Sequence, residues 1–179
     1  MTIGICDYGI GGISLYQRIR AVSDVDIVYY SDTGFIPYGK VPEAELRLQV
    51  EHVIQFLKEQ GAEYIAVACN AASTVIPQRP DVIGMIEFGL ETVFSAAYQR
   101  IGVIGGIRTI ESEVYKKPLE EKGMKVVQQA AQILSIRIEA GDVNSTELRD
   151  DLKAIFEPLK SSEAVLLACT HYPAISHVI

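Results

Sequence analysis

Short apolar runs alternate with amphipathic stretches along the whole chain, and this alternation constrains the fold more than any other feature. Residues 63–68 are nearly all apolar, which is typical of a strand buried on both faces of a parallel sheet. Residues 43–60 instead repeat apolar side chains at helical spacing, and Gly61 follows at the position of a helix C-cap. Alternating elements of these two kinds predict an α/β fold with a largely parallel sheet.

The same reading assigns the remaining elements. We expect strands at residues 2–6, 26–30, 63–68, 82–86, 100–105, 124–128, 132–138 and 163–168. Helices are expected from the glycine-rich turn 9–12 to about residue 21, and at 43–60, 109–122 and 145–160, the last with Ser145 as its N-cap. A domain boundary is expected near residues 88–98, between two groups of strands and helices.

The composition excludes several classes of protein. The 179 residues carry a net charge of −7, so the chain as a whole lacks the basic character of a nucleic-acid-binding protein. Its three cysteines, Cys6, Cys69 and Cys169, are far apart and form no C-x-x-C pair, which excludes a zinc ribbon and a thioredoxin motif. Apolar runs are too short to span a bilayer and no signal peptide is evident. We therefore expect no membrane association and a cytoplasmic location.

Two of the cysteines follow apolar strands in the same way. Residues 65–70 and 166–171 both read as a strand, then Ala-Cys, then a polar residue, by duplication or by coincidence. Ligands of open α/β sheets bind beyond the carboxyl ends of the strands. Asp7, Cys69, Thr109 and Cys169 all fall there. Two cysteines facing each other across a ligand can take a proton from one side of a carbon atom and return one to the other, which inverts its configuration.

Other side chains near these strand ends fit that chemistry. Asp7 and His171 are the titratable neighbours that can set the ionisation of the two thiols. Carboxylate groups of a ligand can be held by four polar side chains, those of Asn70, Ser73, Thr109 and Thr170. Each residue also has a purely structural interpretation, and for Cys6 we expect it to apply, with the thiol in the core. A zinc site from Cys69, Cys169 and His171 is formally possible, although its spacing matches no short zinc pattern.

Taken together, the motifs resemble the aspartate/glutamate racemase superfamily, and its glutamate racemases most closely. Five segments carry the resemblance, in the same order along the whole chain: Asp7-Tyr8-Gly9-Ile10-Gly11-Gly12, Pro37-Tyr38-Gly39, Ala68-Cys69-Asn70-Ala71-Ala72-Ser73, Gly102-Val103-Ile104-Gly105-Gly106 with Thr109, and Cys169-Thr170-His171-Tyr172-Pro173. The resemblance implies two pseudo-symmetric parallel-sheet halves. The first is residues 1–90 with Asp7 and Cys69, and the second is residues 91–179, ending in the loop that starts at Cys169.

The resemblance also implies an activity and a set of site residues. The activity is racemisation of a small dicarboxylic amino acid without pyridoxal phosphate, metal or other cofactor, by a homodimer that serves peptidoglycan biosynthesis. Cys69 and Cys169 resemble the two acid/base residues, with Asp7 and His171 as their polarising partners. The substrate-binding positions are Tyr8, Pro37, Tyr38, Gly39, Asn70, Ala71, Thr109, Glu139 and Thr170.

Three residues depart from the family pattern. Tyr8 stands where the family has a serine, and Ala71 and Gly106 stand where it has threonines. A phenol at position 8 would partly fill the pocket or contact a different ligand, whereas Ala71 and Gly106 each lack a hydroxyl group. A lost hydrogen bond to a charged group costs about 1.5–3 kcal/mol. The chain is also short beside the family, so we expect an incomplete first domain. These departures leave two alternatives open: a catalytically weak or inactive ligand-binding homologue, and an isomerase or decarboxylase that acts on another dicarboxylate.

Overall fold

A computed structural model describes all 179 residues. The chain divides into two compact units, unit 1 at Met1–Met85 and unit 2 at Ile86–Ile179. Each unit contains one sheet of parallel strands with helices between them. The predicted α/β fold with two parallel-sheet halves is therefore confirmed.

Unit 1 contains a four-stranded sheet in the order β2-β1-β3-β4. Its strands are β1 (Thr2–Asp7), β2 (Asp26–Ser31), β3 (Tyr64–Val67) and β4 (Val82–Gly84). Its helices are α1 (Ile13–Val22), α2 (Glu43–Glu59) and the single turn α3 (Asn70–Ser73), with a 3₁₀ turn at Tyr38–Lys40.

The core of unit 1 lies on both faces of this sheet. Helix α2 buries Leu46, Val50, Val53, Ile54 and Leu57, the five positions that the helical spacing of apolar residues predicts. They pack with Ile65, Val67 and the thiol of Cys6, so the prediction that Cys6 is a core residue is confirmed. Ile5, Ala66 and Ala68 point to the opposite face, where Leu15 and Ile19 of α1 cover them.

Unit 2 contains a three-stranded sheet in the order β6-β5-β7. Its strands are β5 (Arg100–Gly105), β6 (Lys125–Ala130) and β7 (Ala164–Ala168). Its helices are α5 (Ile107–Glu111), α6 (Lys116–Glu121), α7 (Gln132–Glu139) and α8 (Thr146–Phe156), with 3₁₀ turns at Glu157–Leu159 and Tyr172–Ile175. Helix α4 (Met85–Phe94) joins the two units, and the predicted domain limit at residue 90 falls inside it.

Helix α8 begins where the sequence predicts. The hydroxyl group of Ser145 accepts a hydrogen bond from the backbone amide of Leu148 at 3.0 Å, which satisfies one of the unpaired amides of the first turn. Leu148, Leu152 and Ile155 of this helix then enter a core cluster with Leu134 and Ile138 of α7.

Three expectations for secondary structure are wrong. Residues 132–138 form helix α7 rather than a strand, because Leu134 and Ile138 recur at helical spacing and both are buried. The helix expected at 109–122 is two helices, since Glu113 adopts a φ of 55° between them and Pro118 is suited to the first turn of the second. The strand expected at 82–86 ends at Gly84, and α4 starts at the next residue. None of the helices is both long enough and apolar enough to cross a membrane.

Candidate active site

The strand registers place Cys69 and Cys169, the two candidate acid/base residues, at equivalent positions of their sheets. Cys6 of β1 lies opposite Val67 of β3, and the amide of Ala68 donates to the carbonyl of Cys6 at 2.9 Å. Cys69 therefore leaves the sheet of unit 1 beside Asp7. In unit 2, Gly105 lies opposite Ala168, so Cys169 leaves the sheet next to the turn before α5. Both thiols lie at a carboxyl edge, as the sequence predicts.

Asp7 is held firmly at the end of β1. Its side chain is buried, and its Oδ1 atom accepts a hydrogen bond from the amide of Tyr8 at 2.7 Å. The turn that follows is tight: Gly9 has a φ of 77°, and its carbonyl accepts from the hydroxyl group of Tyr29 at 3.2 Å. A Cβ atom at Gly12 would come within 3.1 Å of Asp7 Oδ2. The glycines of this motif therefore allow the turn to close over the carboxylate.

Cys69 precedes the single helical turn α3. Its side chain is half-buried, and the side chain of Asn70 beside it is buried. The hydroxyl group of Ser73 donates to the carbonyl of Cys69 at 2.8 Å and accepts from the amide of Met85 at 3.0 Å. Ser73 therefore fixes the backbone around the thiol. The structure does not support the expectation that its hydroxyl group holds a ligand, because that group already has both a donor and an acceptor.

Tyr38 belongs to a buried network that the sequence analysis missed. Its hydroxyl group donates to Oδ2 of the buried Asp32 at 2.6 Å, and Nε2 of Gln49 donates to the same oxygen at 2.9 Å. Burial raises the pKa of Tyr38, and the hydrogen bond to Asp32 raises it further. The hydroxyl group is therefore a permanent donor to Asp32. The only sequence signal for Asp32 is its place just after a strand of the parallel sheet.

The aromatic rings of Tyr8 and Tyr38 lie next to each other, with centroids 5.4 Å apart and planes tilted by 55°. Tyr8, Cys69 and Ala71 are all half-buried against the core cluster that contains Tyr38. Negative charge on Cys69 contributes to the raised pKa of Tyr38, so the thiol lies near this pair of rings.

The 3₁₀ turn at Tyr38–Lys40, before α2, can offer backbone groups to a ligand. The carbonyl of Pro37 accepts from the amide of Lys40 at 2.8 Å, which closes a 3₁₀ turn around Tyr38 and the half-buried Gly39. The hydrogen bond from Tyr38 to the buried Asp32 fixes the turn to the protein interior. Because the Tyr38 hydroxyl group is used in this way, the groups of the turn that a ligand can contact are those of its backbone.

In unit 2, a chain of hydrogen-bonding groups leads away from Cys169. The Sγ atom of Cys169 lies 3.6 Å from Nδ1 of His171, and Nε2 of His171 lies 2.6 Å from Oε1 of Glu139. An ionised carboxylate only accepts hydrogen bonds, so it assigns the proton of the neutral imidazole to Nε2. The lone pair of Nδ1 then faces the thiol. In this tautomer, Nδ1 of His171 can accept a hydrogen bond from the thiol, and Glu139, at the end of α7, orients the ring.

Tyr172 is a second residue that the sequence analysis did not single out by itself. Its side chain is fully buried, and its hydroxyl group donates to the carbonyl of Ala131 at 2.9 Å. Burial raises the pKa of Tyr172, and negative charge on Cys169 adds to the effect.

The two threonines expected to bind a ligand lie near the same edge of the sheet. Thr109 is buried in the short helix α5, and Thr170 is half-buried directly after Cys169. Gly106, the residue before α5, has no room for a larger side chain without movement of Gln132. A Cβ atom there would lie 3.0 Å from Oε1 of Gln132, which also accepts from the amide of Ile107 at 3.4 Å.

The structure thus brings the candidate residues together in two groups, one in each unit. The group in unit 1 contains Tyr38 with its neighbours at the strand edge, Asp7, Tyr8, Cys69 and Ala71. The group in unit 2 is the connected set Cys169, His171 and Glu139, with Tyr172. No group of three or more His, Cys, Asp or Glu side chains is placed to hold a metal ion.

Comparisons with known proteins agree on one family. The family model of Asp/Glu/Hydantoin racemase matches residues 13–179. The glutamate racemase of Desulforudis audaxviator (strain MP104C) is 32% identical over 190 residues, which cover 99% of this chain and 70% of the relative.

Solved structures give the same result. Glutamate racemase from Campylobacter jejuni subsp. jejuni superimposes with a TM-score of 0.91 at 28% identity, over 99% of this chain and 75% of that one. Glutamate racemase from Francisella tularensis subsp. tularensis SCHU S4, solved in complex with D-glutamate, gives a TM-score of 0.90 at 28% identity, over 99% and 72% of the two chains. With the fold, the order of its motifs and these matches in agreement, the chain belongs to the Asp/Glu/Hydantoin racemase family, a family of isomerases.

Proposed function

We propose that this protein is an amino-acid racemase of the glutamate racemase type, which interconverts the L and D forms of a small dicarboxylic amino acid without a cofactor. Cys69 and Cys169 are the two acid/base residues. The observation that carries the proposal is the chain from Cys169 through His171 to Glu139, which gives a thiol at a strand end the base it needs for proton transfer.

The reaction balances with these groups alone. One cysteine, as a thiolate, takes the proton from the α-carbon and becomes a thiol, which leaves a carbanion. The other cysteine, as a thiol, then gives its proton to the opposite face and becomes a thiolate. A second turnover in the reverse direction restores the first state, as does proton exchange with water. No electron transfer or leaving group is involved.

The main barrier is the very weak acidity of the α-proton. Fixed donors aimed at the substrate carboxylate stabilise the carbanion, because they need no reorganisation as charge develops. Candidates for these donors are the side chains of Asn70, Thr109 and Thr170 and the backbone of the Tyr38–Lys40 turn. The relative from Francisella tularensis, solved in complex with D-glutamate, supports an amino acid of this class as substrate.

The side chains of Tyr8 and Ala71 bear on substrate choice. The Tyr8 ring lies against Tyr38, and Ala71 carries no hydroxyl group. The hydroxyl group missing at position 71 weakens binding of a carboxylate by about 1.5–3 kcal/mol, or roughly 10- to 150-fold, and the large ring at position 8 takes up space that a serine would leave open. We therefore propose a substrate preference that differs from that of ordinary glutamate racemases. The double change Tyr8→Ser and Ala71→Thr is expected to lower the KM for glutamate.

Solvent deuterium exchange tests the proposal directly. The protein is incubated with L- or D-glutamate and L- or D-aspartate in D₂O, and mass spectrometry follows deuterium at the α-carbon while chiral chromatography follows racemisation. Cys69→Ser and Cys169→Ser are each expected to abolish racemisation. Cys6→Ala is the matched control, since Cys6 is a core residue, and it should keep activity. Dialysis against a chelator should leave activity unchanged.

Two results would contradict the proposal. One is deuterium exchange that survives in both cysteine variants. The other is calorimetric binding of a dicarboxylic amino acid, unaffected by either substitution and without any exchange, which identifies a ligand-binding homologue instead. The homodimer, the cytoplasmic location and the role in peptidoglycan biosynthesis stay predictions. Light scattering on the purified chain tests the first of them.

A further inference from the structure

Glu139 is the last residue of helix α7, where the carbonyl groups of a helix run out of partners within the helix. A capping motif closes this end. The amides of Asp142 and Gly141 donate to the carbonyls of Arg137 and Ile138, each at 2.9 Å. Gly141 has a φ of 79°, the left-handed conformation that completes a Schellman motif. The turn that carries Glu139 therefore has a defined end.

Arg137 holds the same turn a second time, through its side chain. Its Nη1 atom donates to Oδ2 of Asp142 at 3.1 Å, in addition to the backbone hydrogen bond between these two residues. Its Nε atom donates to Oδ2 of Asp151, on helix α8, at 2.6 Å. The three side chains are between 24% and 30% exposed. One planar guanidinium group thus binds two carboxylates, which fixes its direction more firmly than a single ion pair would.

Asp142 is also bound to the start of helix α8. Its Oδ1 atom accepts from the amide of Ser145 at 3.1 Å, and its Oδ2 atom accepts from the hydroxyl group of Ser145 at 2.7 Å. These hydrogen bonds lower the pKa of Asp142, and the one from Arg137 adds to the effect, so the carboxylate is ionised at neutral pH. Arg137 and Asp142 together join the end of α7 to the first turn of α8.

The contact between Glu139 and His171 depends on where this turn lies. Oε1 of Glu139 is 2.6 Å from Nε2 of His171. The imidazole is buried, but the Glu139 side chain is 32% exposed, so water competes for the carboxylate. A shift of the turn by about 1 Å would carry the two atoms beyond hydrogen-bonding distance. The end of α7 must therefore be held in place for the contact to persist.

We propose that Arg137 is a positioning residue for Glu139. By holding Asp142 and Asp151 together, it fixes the last turn of α7, and Glu139 stays against His171. Arg137 thus acts through Glu139 and not on a ligand. Its consequence for catalysis rests on the proposed function, whereas its effect on the contact between Glu139 and His171 does not.

The ring proton on Nε2 of His171 tests the proposal without any substrate. Held by Glu139, it should exchange slowly with water and give a separate downfield resonance in proton NMR of the full chain, which His171→Asn removes. The exposed His52 and His177 are fast-exchanging references. In Arg137→Met, which keeps a long side chain, exchange of this proton is expected to be about tenfold faster. Two partly exposed ion pairs are lost, and each changes a local equilibrium by up to about fivefold.

Two control variants separate positioning from a general loss of stability. Lys153→Met removes a charge and an exposed ion pair from helix α8 and should leave the exchange rate unchanged. Ile101→Val removes one methyl group from the core of the same unit without touching the ion pairs, and it should leave the rate unchanged as well.

Three results of this experiment overturn the proposal. One is an unchanged rate in folded Arg137→Met. Another is an equal acceleration in Ile101→Val, which would reflect a general loosening of unit 2. The last is a wild-type His171 proton that exchanges as fast as those of His52 and His177, because Glu139 would then not be held against the ring.

Gly141→Ala is a second variant, in case Arg137→Met does not fold. An alanine side chain meets no neighbouring atom at this position, but the positive φ strains it, so the cap of α7 should loosen while Arg137 stays in place. The His171 proton should again exchange faster. An unchanged rate would mean that the turn does not position Glu139, and it would overturn the proposal.

Kinetics separate this proposal from the racemase hypothesis. Arg137→Met should lower kcat/KM by about three- to tenfold in the wild-type background, and should lower it no further in Glu139→Ala, because Arg137 acts through Glu139. Equal losses in both backgrounds overturn the proposal. Failure of the racemase hypothesis would appear separately, as deuterium exchange that survives in the cysteine variants, and it would leave the NMR result for His171 intact.

Discussion

Asp32→Asn is the sharpest test of how unit 1 holds its candidate site. Oδ2 of Asp32 accepts from Tyr38 at 2.6 Å and from Gln49 at 2.9 Å, and Oδ1 is 3.5 Å from the hydroxyl group of Tyr30. All three neighbours are donors, and the side chain is only 3% exposed. An asparagine at this position keeps one oxygen acceptor and replaces the other with an NH₂ group.

The expected cost follows from these contacts. With its oxygen toward Tyr38 and Gln49, an asparagine keeps two hydrogen bonds but makes them neutral. A bond to a charged group contributes about 1.5–3 kcal/mol and a neutral one about 1 kcal/mol, so the two together lose about 1–4 kcal/mol. We expect Asp32→Asn to lower the free energy of unfolding by about 2 kcal/mol. Asp32→Ala, which leaves the buried hydroxyl group of Tyr38 without its acceptor, should cost more.

Urea unfolding measures this loss in the free energy of unfolding, and a double-mutant cycle assigns it to the Asp32–Tyr38 hydrogen bond. Combining Asp32→Asn with Tyr38→Phe should give a coupling energy of about 1–2 kcal/mol, since each change removes the same charge-assisted bond. Asp24→Asn, at an exposed position of the same unit, should stay within about 0.5 kcal/mol of wild type. A stabilised Asp32→Asn protein with no coupling would refute the reasoning. It would mean that the desolvation cost of burying the carboxylate exceeds the stabilisation from its hydrogen-bond donors.

Three further predictions concern other parts of the molecule. Gly12→Ala should destabilise the protein by about 1–3 kcal/mol in urea and lower activity, because its Cβ atom would press against Asp7, whereas Gly34→Ala meets open space and should be neutral. Glu139→Gln should lower kcat/KM by about tenfold, the low end for a charge-assisted bond, since the Glu139 side chain is 32% exposed. Burial raises the pKa of Cys6 above 9.0 and that of three tyrosines above 10.0. Because the unfolded chain ionises first, stability should be intact below pH 9 and should fall by about 1.4 kcal/mol per pH unit above pH 9 for Cys6, with the same slope added by each tyrosine above pH 10.

Local patterns predicted the strands and the longest helix well. The register of apolar positions in α2 depends only on nearby residues, and all five predicted core positions are buried. The failure at 132–138 has a non-local cause. Ile133, Ile136 and Ile138 favour a strand by propensity, but a helix here buries Leu134 and Ile138 and leaves Ile133 and Ile136 exposed.

The candidate site was predictable where its residues follow strands, and not where it depends on packing. Asp7, Cys69 and Cys169 could be placed because carboxyl strand ends share an edge in parallel sheets. Asp32 and Tyr172 could not, since their roles arise from contacts with Gln49 and Ala131, 17 and 41 residues away in the chain. The same holds for Ser73, which the sequence analysis assigned to a ligand but whose hydroxyl group is hydrogen-bonded to the backbone of Cys69 and Met85.

The two strand-end thiols have unlike neighbours, and this has a consequence for kinetics under the proposed function. Cys169 has the imidazole of His171 beside it, whereas Cys69 lies near the paired rings of Tyr8 and Tyr38. The equilibrium constant between enantiomers is one, so kcat/KM must be equal in both directions whatever the environments of the thiols. Differences between the two thiols can therefore make kcat unequal for the L and D substrates, but KM must then differ by the same factor, so that kcat/KM stays equal in the two directions. A change such as Glu139→Gln must reduce kcat/KM equally from the L and the D substrate, and chiral assays that gave unequal losses would mean that the reaction is not a simple racemisation.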